Sequence, residues 1–303
     1  MKVKLKISLV FICLCFRTFS QQMPSVSMFD KNLLHLNPAA TGNQEALTIG
    51  FSYRKQWSGF EGAPSNQVFS ADAPLRNPKV AFGLLLENES SGSSNYTGIY
   101  LNYAYRIRLA GGRLSFGLKG GINAGSQNAI STRDLGDPAF SNNENNYVIP
   151  NFGFGILLYT KNLWAGASVP RIFGFESKPS GSYKLSYNVM QNEYFFVGGG
   201  KILLNPDVHL EPSALVALAS TFKTSVTINL AGVYKNSYKL GFGYRSDDAI
   251  IFQIGYNLNR QLSFGYSYDY NIGSVSKFTS GSHEINMQYR FGYQVNESSP
   301  RYF

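Results

Sequence analysis

The sequence predicts an all-β protein: a closed antiparallel transmembrane β-barrel of about fourteen strands, preceded by a short N-terminal segment. Three observations predict it. Segments of apolar/polar alternation recur along most of the chain. The connections between them sort by length, with every second one short. Charged residues are scarce (15%) and aromatics abundant (15%), the reverse of the balance that keeps a chain disordered.

The alternation is clearest near the C-terminus. In SHEINMQYRFGY (282–293), Ile285, Met287, Tyr289, Phe291 and Tyr293 alternate with Glu284, Asn286, Gln288, Arg290 and Gly292. A period of two places each set on one face of a strand. The same pattern runs through 262–270, 250–258, 240–244, 226–234, 114–122 and 99–109. Strand centres fall near Gly50, Phe69, Leu84, Asn102, Leu118, Gly155, Gly166, Val197, Leu210, Asn229, Gly241, Ile254, Tyr266 and Gln288. The second is short, and the ninth contains Pro212, which cannot donate to a ladder.

The connections carry direction. One set is 75–79, 110–112, 161–162, 205–207, 235–237 and about 257–260, all tight. The other is 56–66, 90–95, 125–149, 172–192, 219–223, 246–248 and 271–282, and holds every long loop. Outer-membrane barrels have short periplasmic turns and longer extracellular loops. A secreted soluble β-sandwich, the rival fold, has no reason to sort loops by parity. On the barrel reading the apolar face meets lipid, the polar face lines a solvated lumen, and Tyr and Phe at strand ends form aromatic girdles.

Residues 1–20 have the pattern of a secretory signal. Lys2, Lys4 and Lys6 precede the apolar run 7–16, and Thr18 and Ser20 are small residues before a cut at Gln21. Cys13 and Cys15 leave with that segment, so thiol chemistry is excluded from the mature chain. The formal charge of +9 falls to +5 without Lys2, Lys4, Lys6 and Arg17. That is too mild to point to nucleic acid. The organisation expected is a signal at 1–20, a plug-like pre-barrel segment at 21–45, a barrel at 46–293 and a tail at 294–303.

Chemistry is sparse. His35, His209 and His283 have no metal-ligand spacing, so no metal or cofactor is expected. The stretch GGGK (198–201) lacks the remainder of a phosphate loop. His283 and Glu284, being adjacent, point to opposite faces of a strand. No set of nucleophile, base and orienter emerges, so the chain is expected not to be an enzyme. Arg106, Arg108, Lys119, Lys239, Arg245 and Arg290 fall on wet faces, there to be solvated and paired strand to strand, or to bind an anion or a partner's carboxylates.

Several motifs then become specific together: NPAATG (37–42), YRKQWSGFEGAPSNQ (53–67), GYRSDDAI (243–250), GYSYDYNIG (265–273) and SGSHEINMQYRF (280–291). With them the chain resembles the PorP/SprF family of type IX secretion system outer-membrane proteins of Bacteroidota, from about Gln22 to Phe291. It departs from the family at Ala40-Thr41, where an aromatic and then a small residue are common. The resemblance implies an integral outer-membrane barrel in contact with lipid, acting in type IX secretion and, in some members, gliding motility. It implies a client as partner, a secreted adhesin-like surface protein whose C-terminal sorting domain is received at the barrel for secretion and surface attachment. Periplasmic or ring components of the secretion machine are further implied partners. Arg54, Gln56, Trp57, Phe60, His283 and Glu284 are the motif positions expected to bind a partner or to fix closure, because the first and last strands of a barrel are neighbours. A porin-like diffusion channel is the second reading and an outer-membrane enzyme the third.

Overall fold

The computed structural model describes residues 25–127, 145–172, 174–177, 183–186, 192–219 and 222–292. The signal and the tail lie outside the described residues, as does most of the loop expected at 125–149.

The strands are β1 (Leu47–Lys55), β2 (Ser65–Pro74), β3 (Val80–Ser91), β4 (Ser94–Leu109), β5 (Gly112–Gln127), β6 (Asn145–Thr160), β7 (Leu163–Val169), β8 (Gly174–Ser177), β9 (Tyr183–Ser186), β10 (Tyr194–Gly200), β11 (Ile202–Asn205), β12 (Val208–Ala219), β13 (Phe222–Tyr234), β14 (Tyr238–Arg245), β15 (Ala249–Asn257), β16 (Leu262–Asn271) and β17 (Ser282–Phe291). Consecutive strands pair antiparallel from β1 to β7 and from β11 to β17, β7 pairs with β10, β10 with β12, and β1 with β17. The ring therefore closes with fourteen strands. Each of the fourteen sequence-derived centres falls in a different ring strand.

Two strands lie apart in the long β7–β10 connection, where β8 and β9 form their own hairpin. The short β11 lies outside the ring and prolongs the β10–β12 pairing. Gly199 stands opposite Ser213 and, in the same register, Ile202 opposite Leu210. The ladder breaks between these pairs, opposite Pro212, whose missing N–H explains the interruption. The β5–β6 hairpin reaches further than the sequence suggests, to Gln127 and Asn145.

Burial is inverted relative to a soluble protein. Ser52, Asn102, Asn123, Asn151, Asn229, Gln253, Asp269 and Asn286 are buried, while Phe51, Leu101, Leu118, Phe152, Leu230, Phe242, Ile254 and Ile285 are exposed. On β14 the outward set reads Tyr238, Leu240, Phe242, Tyr244, with a tyrosine at each end of an apolar band. Outward aromatics pair across strands, as in Tyr238 with Tyr256 and Phe242 with Phe252 at ring-centroid distances of 5.2 and 5.5 Å. Only a hydrocarbon environment makes such a surface favourable, and closure leaves no ring strand with an unpaired edge there. No helix among the described residues is long and apolar enough to cross a membrane. This barrel crosses with strands.

Leu101, 67% exposed on β4, sits in the middle of that band. Leu101→Arg is expected to cost about 2–4 kcal/mol in folding into lipid vesicles, against about 0–1 for Leu75→Arg at a turn. Denaturant titration of both variants in the same vesicles measures the difference.

Candidate functional site: a filled lumen and an outer rim

The lumen is not an open solvated space. Residues 25–46 lie within it and touch strands on every side. The segment contains a short helix, α1 (Leu33–Leu36), followed by a 3-10 turn at Pro38–Ala40. Phe29, Leu33, Leu36 and Ala39 pack on Leu157, Tyr159, Phe195, Val197, Leu215 and Ala217, which point inward from β6, β10 and β12. This apolar wall was not expected on the wet face. Its sequence signal is a run of consecutive apolar residues: ILLY (156–159), YFFV (194–197) and LVAL (215–218). A strand covered on both faces has such a run in place of alternation.

The NPAATG motif is explained here. The Asn37 side chain accepts from the Ala39 N–H at 2.9 Å and donates to the Ile156 carbonyl at 3.0 Å. Ser115 and Ser168 donate to the carbonyls of Ala39 and Leu36, both at 2.7 Å. The turn sits so close to the wall that a Cβ on Gly155 would stand 2.0 Å from Asn37 Oδ1, and one on Gly117 would stand 2.0 Å from the Ala39 nitrogen. These strand glycines make room for the segment. Further on, the Gly42 N–H donates to Asp72 at 2.6 Å and its carbonyl accepts from Arg106 at 2.8 Å.

Toward the long-loop end, Ser27 is the hub. Its hydroxyl donates to Asp269 and accepts from Arg54 at 3.0 Å and Arg245 at 2.6 Å. Its N–H donates to Glu284 at 2.8 Å, and its carbonyl accepts from Asn229 and Gln253. Arg54 joins Asp269 at 2.7 Å and Glu284 at 3.3 Å, and Arg245 joins Asp269 and Asp248, both at 3.0 Å. All these groups are buried. In the opposite half, Glu87 takes Lys119 at 3.1 Å and His35 at 3.0 Å. At the short-turn end, Lys239 clamps Asp30 at 2.7 Å and Glu211 at 2.9 Å. Burial opposes the ionisation of Asp30, but Lys239 and Lys31 overcome it and hold the carboxyl below its usual range. Burial and the charge of Lys239 push the Lys31 ammonium down. The inward cations Arg106, Lys119, Lys239, Arg245 and Arg290 thus bind the pre-barrel segment or other strands; Lys119, Lys239 and Arg245 have the strand-to-strand pairs expected of them, and the solvated lumen is what the structure corrects. Arg108 is exposed.

The six motif positions divide by depth. Arg54 and Glu284 stand directly opposite each other across the β1–β17 seam, as do Lys55 and His283. Arg54, Gln56 and Glu284 are buried, and Trp57 and His283 are part-buried. Of the six, Phe60 alone is exposed, at 50%. His283 accepts or donates a 2.7 Å hydrogen bond with the Tyr266 hydroxyl. Trp57 has φ +50°, a left-handed conformation that its neighbours must fix. They do so across the seam: the Trp57 N–H donates to Ser282 at 3.0 Å, the Ser58 N–H to Gly281 at 2.7 Å, and the Ser280 N–H to Ser58 at 2.8 Å. Loops 56–64 and 272–281 are therefore clasped to each other. Phe60 projects from the first and Phe278, 66% exposed, from the second. Among the described residues no three His, Cys, Asp or Glu side chains converge as a metal site.

Three substitutions separate the parts of this arrangement. Arg54→Ala leaves Asp269 and Glu284 buried with less compensation, and is expected to lower stability by about 3–5 kcal/mol in denaturant titration. Lys55→Ala, facing outward, should change it by no more than about 0.5. Gly155→Val forces a side chain into Asn37, and overpacking of about 1–3 kcal/mol should make the 33–41 segment roughly tenfold more sensitive to protease in the folded barrel.

No curated protein matches the sequence. Solved structures matched at low identity include two toluene transporters and an outer membrane protein. The Ralstonia pickettii toluene transporter TbuX is 10% identical, with a TM-score of 0.49 over 86% of this chain and 94% of that one. The P. putida toluene transporter TodX is 11% identical, with a TM-score of 0.49 over 87% and 95%. The Acinetobacter baumannii protein Omp33 is 8% identical, with a TM-score of 0.45 over 83% and 100%. The family model described as type IX secretion system membrane protein PorP/SprF matches residues 18–289. With a closed barrel, an inverted surface and a match over most of its length, the chain belongs to the PorP/SprF family of type IX secretion system proteins of the outer membrane.

Proposed function

We propose that this barrel supports the secretion and cell-surface attachment of an adhesin-like client by docking the client's C-terminal sorting domain on its outer rim. The observation that carries this reading is the clasped pair of long-loop segments, which lifts Phe60 and Phe278 into solvent above a filled lumen. Exposed aromatic side chains on a fixed support are the usual anchors of protein interfaces. Arg54, Gln56 and Glu284 would position this rim from below, and Trp57 and His283 would set the clasp. The role is non-enzymatic, in keeping with a family of secretion components. Secretion-machine subunits on the periplasmic side are compatible partners. A porin-like channel is disfavoured by the segment packed through the lumen.

The test is surface display of the client in cells carrying Phe60→Ser with Phe278→Ser, at unchanged barrel abundance in the outer membrane. Loss of two aromatic anchors, each worth about 1–2 kcal/mol, is expected to lower display about tenfold or more. Unchanged display would remove these loops from client docking.

A further inference from the structure

The opposite mouth of the barrel has a different chemistry. A cavity of about 430 Å³ opens at the short-turn end, floored by Asp30, Lys31 and Gln44 of the pre-barrel segment and walled by the turns and strand ends around it. Its lining carries Lys31, Lys161, Lys201, Lys235, Arg260 and Arg290, against only two acids, Asp30 and Glu211. Both acids are already engaged by Lys239. Lys161, Lys235 and Arg260 are exposed, each on a different turn. Arg76 and Lys79 add two more exposed cations to the same rim from the β2–β3 turn.

We propose that this periplasm-facing vestibule is a docking site for an extended acidic segment of a protein partner. The spacing of the charges selects that occupant. A site for one small anion gathers its donors around a point, whereas these cations ring the mouth on separate turns, where one compact anion reaches few of them. Between them lie Asn162, Asn236, Asn257, Asn259 and Gln261, which offer donors and acceptors suited to a peptide backbone, and Trp164 supplies an aromatic surface. The positive field inside a low-dielectric rim steers such a segment to the mouth. This surface lies at the opposite end of the barrel from the outer rim.

The test uses the full barrel in neutral nanodiscs and a fluorescent peptide alternating Glu with Gly and Ser. Saturable binding that weakens with salt is expected. The triple variant K161E/K235E/R260E, with all three positions exposed, should weaken it by about tenfold or more. Heat-modifiable gel mobility checks that the variant is folded. Binding that is absent, or unchanged by the triple reversal, overturns the proposal. Displacement of the peptide by equimolar inorganic phosphate overturns it in favour of a small-anion site. Recruitment of phosphatidylglycerol vesicles without peptide binding overturns it in favour of lipid headgroups. Client display in the same triple variant reports on the outer rim separately.

Discussion

A strand placed in hydrocarbon must satisfy every backbone N–H and C=O with a neighbour, because no water is there to do it. In this chain the requirement falls hardest on the seam, where the first strand must find the last. The register at the seam is set by more than backbone pairing. Arg54 stands opposite Glu284 with Asp269 beside them, and all three converge on Ser27. A slip of one residue would turn these charges toward lipid and the outward aromatics toward the lumen. The lipid-facing surface thus excludes slips of one residue, and the specific polar pairs of the interior exclude slips of two.

The same charges explain why the interior is filled. Arg54, Glu87, Lys119, Lys239, Arg245, Asp269 and Glu284 point inward, and all are paired at ion-pair distances. A buried charge without a partner is strongly destabilising. The pre-barrel segment supplies Ser27, Asp30 and His35 as partners, and its apolar side chains cover the inward residues of β6, β10 and β12. Wall and segment are complementary in both polarity and shape.

The barrel was largely legible in the sequence because its two signals are local. Alternation fixes which side chains of β14 or β17 face lipid, and loop length separates the two ends. The seam contact between the Gln56-Trp57 region and the His283-Glu284 region was also accessible, since closure makes first and last strands adjacent. A plug-like segment was expected at 21–45, but the contacts that seat residues 25–46 were not legible. Its partners come from strands scattered across the chain, and no periodicity joins Ser27 to Asn229 or Asn37 to Ile156. Doubly apolar runs such as ILLY at 156–159 were the available clue that something covers the inner face. The basic vestibule was hidden for a similar reason, because its cations belong to separate turns that only the closed ring brings together.

The hub at Ser27 has a consequence for how the molecule assembles. Its hydroxyl meets Asp269 across a sequence separation of 242 residues, and its N–H meets Glu284 across 257. Ser27, near the start of the chain, is therefore completed by its last two strands. Such long-range contacts repay their loop-closure entropy only late, and they make folding slow. Without β16 and β17 the lumen segment lacks its contacts to Asp269, Glu284, Asn286 and Arg290, and β1 lacks one of its two neighbours. Ring closure and the seating of the segment thus draw on the same side chains, because Arg54, Asp269 and Glu284 serve both the seam and Ser27.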